Sequence, residues 1–267
     1  MRTWLLCGDT GEVLSSCETF RMSSSNQCQN GWTHAVASVF TEPALRGRRY
    51  ASVLTEMLMR ELAQRESDLH ASILFSDVGS SLYERAGFEA VPSARDWVFP
   101  AEAGSASELA DQLIAEGDVR SVWAELSPPS ASFVIWPGPE QVDWHLERER
   151  TYSSLLSRER PESCGARVGR SIVVWAAKYA TDELILLWLA AVRLSDAERL
   201  VRAARRIARA AALSRVRWWE CPPPFELPSD FAGGRRIRRD GELPMLRAFR
   251  SDLRAREWSV IPRAIWV

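Results

Sequence analysis

The stretch HAVASVFTEPALRGRRYASVLTEMLMREL, residues 34–62, decides the fold that we predict for this chain. It reads as an apolar strand from His34 to Phe40, a proline-containing turn, an arginine-rich loop, and an amphipathic helix from Tyr50 onward. This order brings loop N–H groups and the positive end of a helix dipole to one point. The stretch therefore predicts a site for an anion.

The residues around this stretch predict further strands of one sheet. Two strand-like segments, Thr3 to Cys7 and Val13 to Met22, are joined by the turn sequence GDTGE, and residues 23–31 read as a polar loop. After the helix come a strand from His70 to Phe75, a short helix that stops at Gly87, and a strand from Ser93 to Phe99. We predict an α/β protein, with an α+β arrangement around a mixed sheet.

The second half repeats this order of elements. Its predicted helices are 107–116, 142–156 and a periodic one around Leu200, and its predicted strands are 171–177, 184–193, 216–220 and 257–267. We divide the chain into a first domain at 1–100, a linker at 101–132 and a second domain at 133–267. The second domain is expected to be a diverged copy of the first.

Composition limits the class of protein. The 267 residues are 46% hydrophobic and 26% charged, which is typical of a globular domain in water. Five scattered cysteines without a C-x-x-C pair indicate neither a disulfide framework nor a metal site. The longest apolar run, Leu184 to Val192, is too short to cross a membrane. We expect a cytoplasmic protein without membrane contact.

Charge is distributed unevenly along the chain. From Asp196 to the end there are 16 arginines and nine acidic residues, whereas the preceding part is acidic. Such a basic third could bind an acyl carrier protein or tRNA, or it could be a solvated helix face.

Two motifs resemble a known superfamily. The segments SVFTEPALRGRRYA (38–51) and SLYERAGF (81–88) resemble the GCN5-related N-acetyltransferases, GNAT for short. Residues 37–52 and 73–88 and the closing EWSVIPRAIW are similar to the fungal cytosolic lysine N6-acetyltransferases. The resemblance implies an acyl thioester donor such as acetyl-CoA and an amine acceptor. It also implies that a strand and two helices are missing before residue 1, or that the second half walls the acceptor side instead.

The resemblance implies a donor site. The strand backbone would hold the thioester at Val39, Phe40 and Thr41. The loop N–H groups would cradle the pyrophosphate, and Ser76 would touch coenzyme A. These loop residues are Arg46, Gly47, Arg48, Arg49, Tyr50 and Ala51. Arg49 replaces the central glycine of the family signature, so it could add a charged contact, weaken coenzyme A binding or select another donor.

The resemblance also implies catalytic roles. Tyr83 occupies the place of the general acid that protonates the leaving thiolate, for which a phenol is suited. Glu18 lies in the middle of a strand, where a carboxylate is uncomfortable without a purpose, and is our first candidate for the base or for the anchor of the acceptor ammonium. His34 is the alternative base. Asp77 is expected beneath the acceptor.

Three functions follow from these expectations. The first is an N-acyltransferase that acts on a small amine such as lysine. The second is a related enzyme of specialised metabolism whose donor is a carrier protein or an aminoacyl-tRNA. The third is a non-catalytic binding module with the same fold.

Overall fold

The computed structural model of the protein describes residues 1–91, 94–221, 225–239 and 241–266. Its strands form two mixed sheets and are, in chain order, β1 (Arg2–Cys7), β2 (Val13–Asn26), β3 (Gln29–Phe40), β4 (Leu69–Ser76), β5 (Glu89–Ala90), β6 (Arg95–Pro100), β7 (Gln112–Ile114), β8 (Phe133–Ile135), β9 (Gly165–Val168), β10 (Ser171–Lys178), β11 (Glu183–Ala190), β12 (Arg215–Trp219), β13 (Arg235–Arg238) and β14 (Leu243–Ala248). The helices are α1 (Tyr50–Arg65), α2 (Ser81–Glu84), α3 (Val119–Ala124), α4 (Pro139–Leu156) and α5 (Leu194–Ala210). The predicted α/β class with mixed sheets is confirmed.

The first sheet has the strand order β1-β2-β3-β4-β14-β5, and the short strand β8 also pairs with β2. Strands β3 and β4 run parallel and are connected by α1, as the strand–loop–helix pattern predicts. The helix buries its apolar side, with Leu54, Leu58 and Leu62, against Val36 and Leu74 of these two strands. Burial of each such leucine contributes roughly 2 kcal/mol, so α1 is held firmly on this face of the sheet.

The second sheet repeats this plan. Its strand order is β13-β6-β12-β11-β10-β9-β7, and its parallel pair β11 and β12 is connected by α5. This helix presents a nearly continuous stripe of small and branched residues to the sheet, including Leu200, Ala204 and Ile207. In both sheets a helix connects a parallel pair of strands. This is the arrangement expected if the second half is a diverged copy of the first.

The two sheets exchange strands. Strand β6, from the first half of the sequence, lies between β13 and β12 of the second sheet. Strand β14, from the second half, lies between β4 and β5 of the first sheet. Each sheet therefore contains a strand from the other half of the chain, and the expected boundary at residue 100 is not a boundary between sheets.

Three local expectations were wrong. Residues 23–31 are a hairpin rather than a loop, because Gln27 and Cys28 both adopt left-handed φ angles of 47° and 65° and reverse the chain. The expected helix at 107–116 is replaced by β7, which pairs with β9. The expected last strand at 257–267 consists instead of short 3-10 turns around Pro262, which has no N–H to give to a sheet. Residues 93 and 267, which also belong to expected strands, lie outside the described residues.

The closing segment is buried between the two sheets. Trp258 and Ile261 belong to the core beneath the first sheet, and Val260 and Ala264 belong to the core beneath the second. Within the described ranges, no helix has both the length and the apolar character needed to cross a bilayer.

Candidate active site

A cleft opens where β3 and β4 separate. The two strands pair in parallel from Trp32 to Ala35 and from Leu69 to Ile73, and their ends then diverge. The opening has a volume of about 690 Å³. Its lining combines apolar side chains of both strands with the loop before α1 and with the start of α2. These residues are Val36, Ala37, Ser38, Val39, Phe40, Thr41, Leu45, Arg46, Gly47, Arg49, Tyr50, Ala51, Ser52, Leu74, Phe75, Asp77, Val78, Leu82 and Tyr83.

The structure brings most of the predicted site residues to this cleft. Those that line it are Val39, Phe40, Thr41, Arg46, Gly47, Arg49, Tyr50, Ala51, Asp77 and Tyr83. Arg48 is exposed and lies outside the lining. Ser76 also lies outside it: this side chain is buried, and its hydroxyl donates to the carbonyl of Gly79 at 2.6 Å, so it shapes the turn after β4.

The N-terminus of α1 lines the cleft, and a helix N-terminus is able to bind an anion. The residue before this helix makes no capping hydrogen bond through its side chain, and the first turn contains no acidic residue. No capping side chain therefore accepts from the first backbone N–H groups of α1. Gly47 and Arg49 adopt left-handed φ angles of 80° and 66°. Arg49 therefore keeps a backbone conformation that favours glycine, although it carries a side chain. The guanidinium groups of Arg46 and Arg49 add positive charge to the same wall.

Tyr83 lies on the short helix α2, next to the first turn of α1, where the Ser52 hydroxyl donates to the carbonyl of Leu82 at 3.5 Å. The Tyr83 ring is buried and packs edge-on against Phe88. Burial, followed by the nearby Cys17 and Asp77, raises the pKa of the Tyr83 phenol above its ordinary value. With the described residues the hydroxyl makes no hydrogen bond, so its proton is available to a group in the cleft.

Glu18 reaches the cleft through Ser38. Strand β3 contains a bulge here, because Ser16 and Glu18 of β2 face Phe40 and Ala37 of β3. Ser38 lies in the bulge with a φ of 52°, and its hydroxyl donates to Oε2 of Glu18 at 3.0 Å. The carboxylate is only partly buried and so remains reachable. Glu18 lies beside the cleft without lining it.

His34 does not belong to this site. Its Nε2 lies 2.9 Å from Oε1 of Glu66, which follows the last residue of α1. The cleft is at the other end of that helix, which has 16 residues and is therefore about 24 Å long. Burial lowers the pKa of His34, only partly offset by Glu66. The pair ties β3 to the end of α1, and the alternative base is not brought to the cleft.

The second half of the chain reaches the cleft at Asp77. The backbone N–H of Glu242, just before β14, donates to Oδ1 of Asp77 at 3.1 Å. The Glu242 carboxylate is paired in turn with Lys178 and Arg263. Sequence reasoning missed these three residues, since nothing local marks them and only the insertion of β14 beside β4 brings them here.

Four of the five arginines of α5 are engaged within the protein. Arg202, Arg205 and Arg206 all lie within ion-pair distance of Glu102, and Arg199 pairs with Asp111. Much of the charge that the sequence suggested for a carrier protein or tRNA is therefore neutralised by the segment that follows β6. In the described ranges no group of three or more His, Cys, Asp or Glu side chains is arranged to hold a metal ion.

Comparisons with known proteins identify the family of the chain. Residues 105–267 match the family model described as the LYC1 GNAT-like C-terminal domain. A lysine acetyltransferase of Yarrowia lipolytica is similar to the chain at 23% identity, over 77% of this chain and 67% of that protein.

Solved structures share the fold. A probable N-acyltransferase of Enterococcus faecalis and Eis1 of Mycobacterium abscessus each superpose with a TM-score of 0.57, at 12% identity over 92% of this chain. The chain spans 61% and 64% of their lengths, which is less than two thirds. The likeness to these two structures concerns the fold alone.

Proposed function

Since residues 105–267 match the LYC1 GNAT-like C-terminal domain and the chain therefore belongs to the GNAT family, we propose that it transfers an acyl group from coenzyme A to a small-molecule amine. One observation carries the proposal. A single cleft is lined both by the N-terminus of α1, where an anion would bind, and by Tyr83, whose hydroxyl has no hydrogen-bond partner among the described residues.

The loop before α1 fits the pyrophosphate of coenzyme A. Its two left-handed residues turn the backbone so that successive N–H groups can face one anion. No atom lies within 4 Å of a Cβ built on Gly47, so the backbone is open on this side. Arg46 and Arg49 would add charge-assisted contacts to the phosphates. The apolar walls formed by Val36, Leu74 and Leu82 suit the pantetheine arm and the acyl group.

The reaction needs a base and an acid. The amine must lose a proton as its nitrogen attacks the thioester carbon, and the sulfur must gain one as the C–S bond breaks. Glu18, reachable and fixed by Ser38, would take the first proton directly or through water. Tyr83 would give the second. Its raised pKa keeps the phenol protonated until negative charge develops on sulfur.

The acceptor that we propose is an amine of the amino-acid kind, with lysine as the first to be tested. The relative from Yarrowia lipolytica is named a lysine acetyltransferase. Asp77, held at the cleft wall, supplies a carboxylate that would anchor an acceptor ammonium.

We place free coenzyme A ahead of a carrier protein or tRNA as donor. A macromolecular donor would need a free basic surface, and four of the five arginines of α5 are paired with acids of the same chain. Binding that weakened steeply with salt would favour the macromolecular donor instead.

The test is turnover of acetyl-CoA with a panel of amines that includes free lysine. Release of the free thiol reports the reaction, and calorimetry with coenzyme A reports binding. Binding and turnover together support the proposal. Binding without turnover of any amine would favour the non-catalytic module, and the absence of both would refute acyl transfer from coenzyme A.

A further inference from the structure

The chain contains a single lysine, Lys178, and it is paired with Glu242, whose backbone N–H contacts Asp77 of the cleft. Its Nζ is 3.0 Å from Oε1 of Glu242. Nη1 of Arg263 is 2.7 Å from the same oxygen. One carboxylate from the turn before β14 is thus held by two cations, one from the end of β10 and one from the closing segment.

We propose that Lys178, Glu242 and Arg263 form a positioning triad, through which the second half of the chain holds Asp77 in place for the acceptor amine. The inference rests on the proposed function and extends it, because it gives the second half a role in acceptor binding. None of the three residues is a catalytic residue in this scheme. They act through the backbone of Glu242 and the carboxylate of Asp77.

The triad stabilises a turn whose own backbone conformation is unfavourable. Glu242 has a left-handed φ of 48°, which an L-residue with a long side chain adopts only when its surroundings impose it. The strand that follows starts with Leu243 opposite Ser76, the residue before Asp77. Loss of the ion pairs would release the turn, and with it the N–H that reaches Oδ1 of Asp77.

Arg263 is the rigid member of the triad. Its side chain is 1% exposed, and its guanidinium lies between two indole rings, 4.5 Å from the centre of Trp219 and 4.1 Å from that of Trp266. Stacking of this kind fixes the plane of a guanidinium. Glu242 is consequently held in one place by a cation that has little freedom to move.

The charges favour the paired state. Burial alone would raise the pKa of Glu242, but Arg263 and Lys178 outweigh it and lower that pKa below its ordinary value. Glu242 therefore stays ionised at neutral pH. Lys178 is the more accessible of the two cations, at 17% side-chain exposure, and it can be changed with less risk to folding than Arg263.

The experiment is a double-mutant cycle on Lys178 and Asp77, with acetyl-CoA as donor and the best amine found in the panel as acceptor. Lys178→Met should raise KM for the amine about tenfold, with little change in kcat or in KM for acetyl-CoA. In an Asp77→Asn background the same change should add less than about twofold, because the group through which Lys178 acts is already altered. Lys178→Arg should restore most of the affinity.

Two further measurements separate positioning from general destabilisation. Arg167→Met is the matched control, since Arg167 makes a similar ion pair with Glu125 at 2.8 Å in the second sheet, far along the chain from the turn at Glu242. It should leave KM unchanged. Amide hydrogen exchange at Glu242 should become faster in Lys178→Met and stay unchanged in Arg167→Met.

The outcomes are distinct. Full additivity of Lys178→Met and Asp77→Asn, or unchanged exchange at Glu242, would overturn the triad even in an active enzyme. A wild-type protein without acyl transfer would overturn the proposed function, while the exchange measurement would still decide whether the triad holds the turn. If Lys178→Met does not fold, Lys178→Gln is used in the same cycle.

Discussion

At the scale of single residues, Arg49 shows what a sequence motif leaves out. The sequence places an arginine where the family signature has a glycine, and the structure keeps the left-handed backbone at that position, with a φ of 66°. The backbone conformation that glycine would favour is thus preserved at the expense of local strain, which for a non-glycine residue is of the order of 1–2 kcal/mol. The residue type alone does not reveal this, because φ depends on how the loop closes onto α1.

Arg49→Gly should therefore stabilise the protein. Relief of strain exceeds the added chain entropy of glycine, so we expect a net gain of about 0.5–1 kcal/mol in the free energy of unfolding. Arg48→Gly is the control, because Arg48 is in the same loop and does not have a positive φ. That change should cost about 0.5–1 kcal/mol. Urea denaturation of both variants measures these changes in the free energy of unfolding. Equal losses of stability in the two variants would contradict backbone strain at Arg49.

Tyr83→Phe tests the proposed acid. Without the phenol the thiolate must leave unprotonated, so kcat should fall about 100-fold while binding of coenzyme A changes little. Since the pKa of Tyr83 is raised, its phenol should stay protonated below about pH 10, and deprotonation of Tyr83 should not lower the wild-type kcat in that range. Tyr152→Phe, on the exposed side of α4, should be silent in the same assay. A Tyr83→Phe enzyme with full kcat would remove Tyr83 from the mechanism.

At the scale of elements, strong periodicity made prediction possible. Residues Leu54, Leu58 and Leu62 repeat every four positions, so α1 and the strands on both sides of it could be predicted and were found. The hairpin at residues 23–31 could not, because serines and asparagines are poor strand formers and the turn at Gln27 and Cys28 contains no glycine. There, pairing with the neighbouring strands decides the structure.

The candidate site divides in the same way. The loop and Tyr83 lie within motifs that are short in sequence, and the structure brings them to one cleft. Glu242 and Lys178 come from positions 165 and 101 residues beyond Asp77, so only tertiary structure connects them to it. His34 remained the alternative to Glu18 because both lie on central strands, and the residue types alone do not tell which of the two side chains reaches the cleft.

Glu18→Gln and His34→Gln should separate the two candidate bases. Glu18→Gln keeps a hydrogen bond with Ser38 but removes the proton acceptor, so kcat should fall by about 100-fold. His34→Gln loses the pair with Glu66 at the far end of α1, so it should lower stability by about 1–2 kcal/mol and leave kcat nearly unchanged. Initial rates and urea denaturation are measured on both variants. The reverse pattern would restore His34 as the base.

At the scale of the whole molecule, buried histidine links stability to pH. His145 is buried beside Trp144 and Trp266, and burial, with Arg263 and Arg148 nearby, lowers its pKa to about 3. The unfolded chain binds this proton near pH 6.5, so the stabilising contribution is present above that pH and is lost as pH falls toward 3.

We expect His145→Gln to weaken this pH dependence. Between pH 6.5 and 4.5 the wild-type protein should lose about 2 kcal/mol through this group, and the variant should lose correspondingly less. His34 and His70, whose pKa values are also lowered by burial, and carboxyl groups such as Glu149 and Glu242, whose pKa values are shifted on folding, still titrate in the variant and contribute to its remaining slope. Urea denaturation at the two pH values measures the difference. Equal slopes for both proteins would show that His145 is not the group that titrates.

The exchange of β6 and β14 makes the two halves depend on each other. Without β14 the first sheet would have a gap between β4 and β5, and the sites of the buried Met245 and Leu246 would be empty. These two side chains alone contribute roughly 4 kcal/mol of apolar burial, a large part of the stability of a domain. Local patterns predicted β6 but not β14, and the choice of sheet for each of these strands follows from which gap it fills.

Fragments 1–104 and 105–267, separated within the segment after β6, should therefore not fold alone. Each lacks one interior strand, and each would expose the face of a sheet that the other half covers. Co-expressed, the two fragments should assemble and recover the cleft, and the intact chain should unfold in one cooperative transition. Soluble yield, circular dichroism and calorimetry test this. If fragment 1–104 alone folded cooperatively and bound coenzyme A, the strand exchange would not be essential, and the first half would be an independent domain.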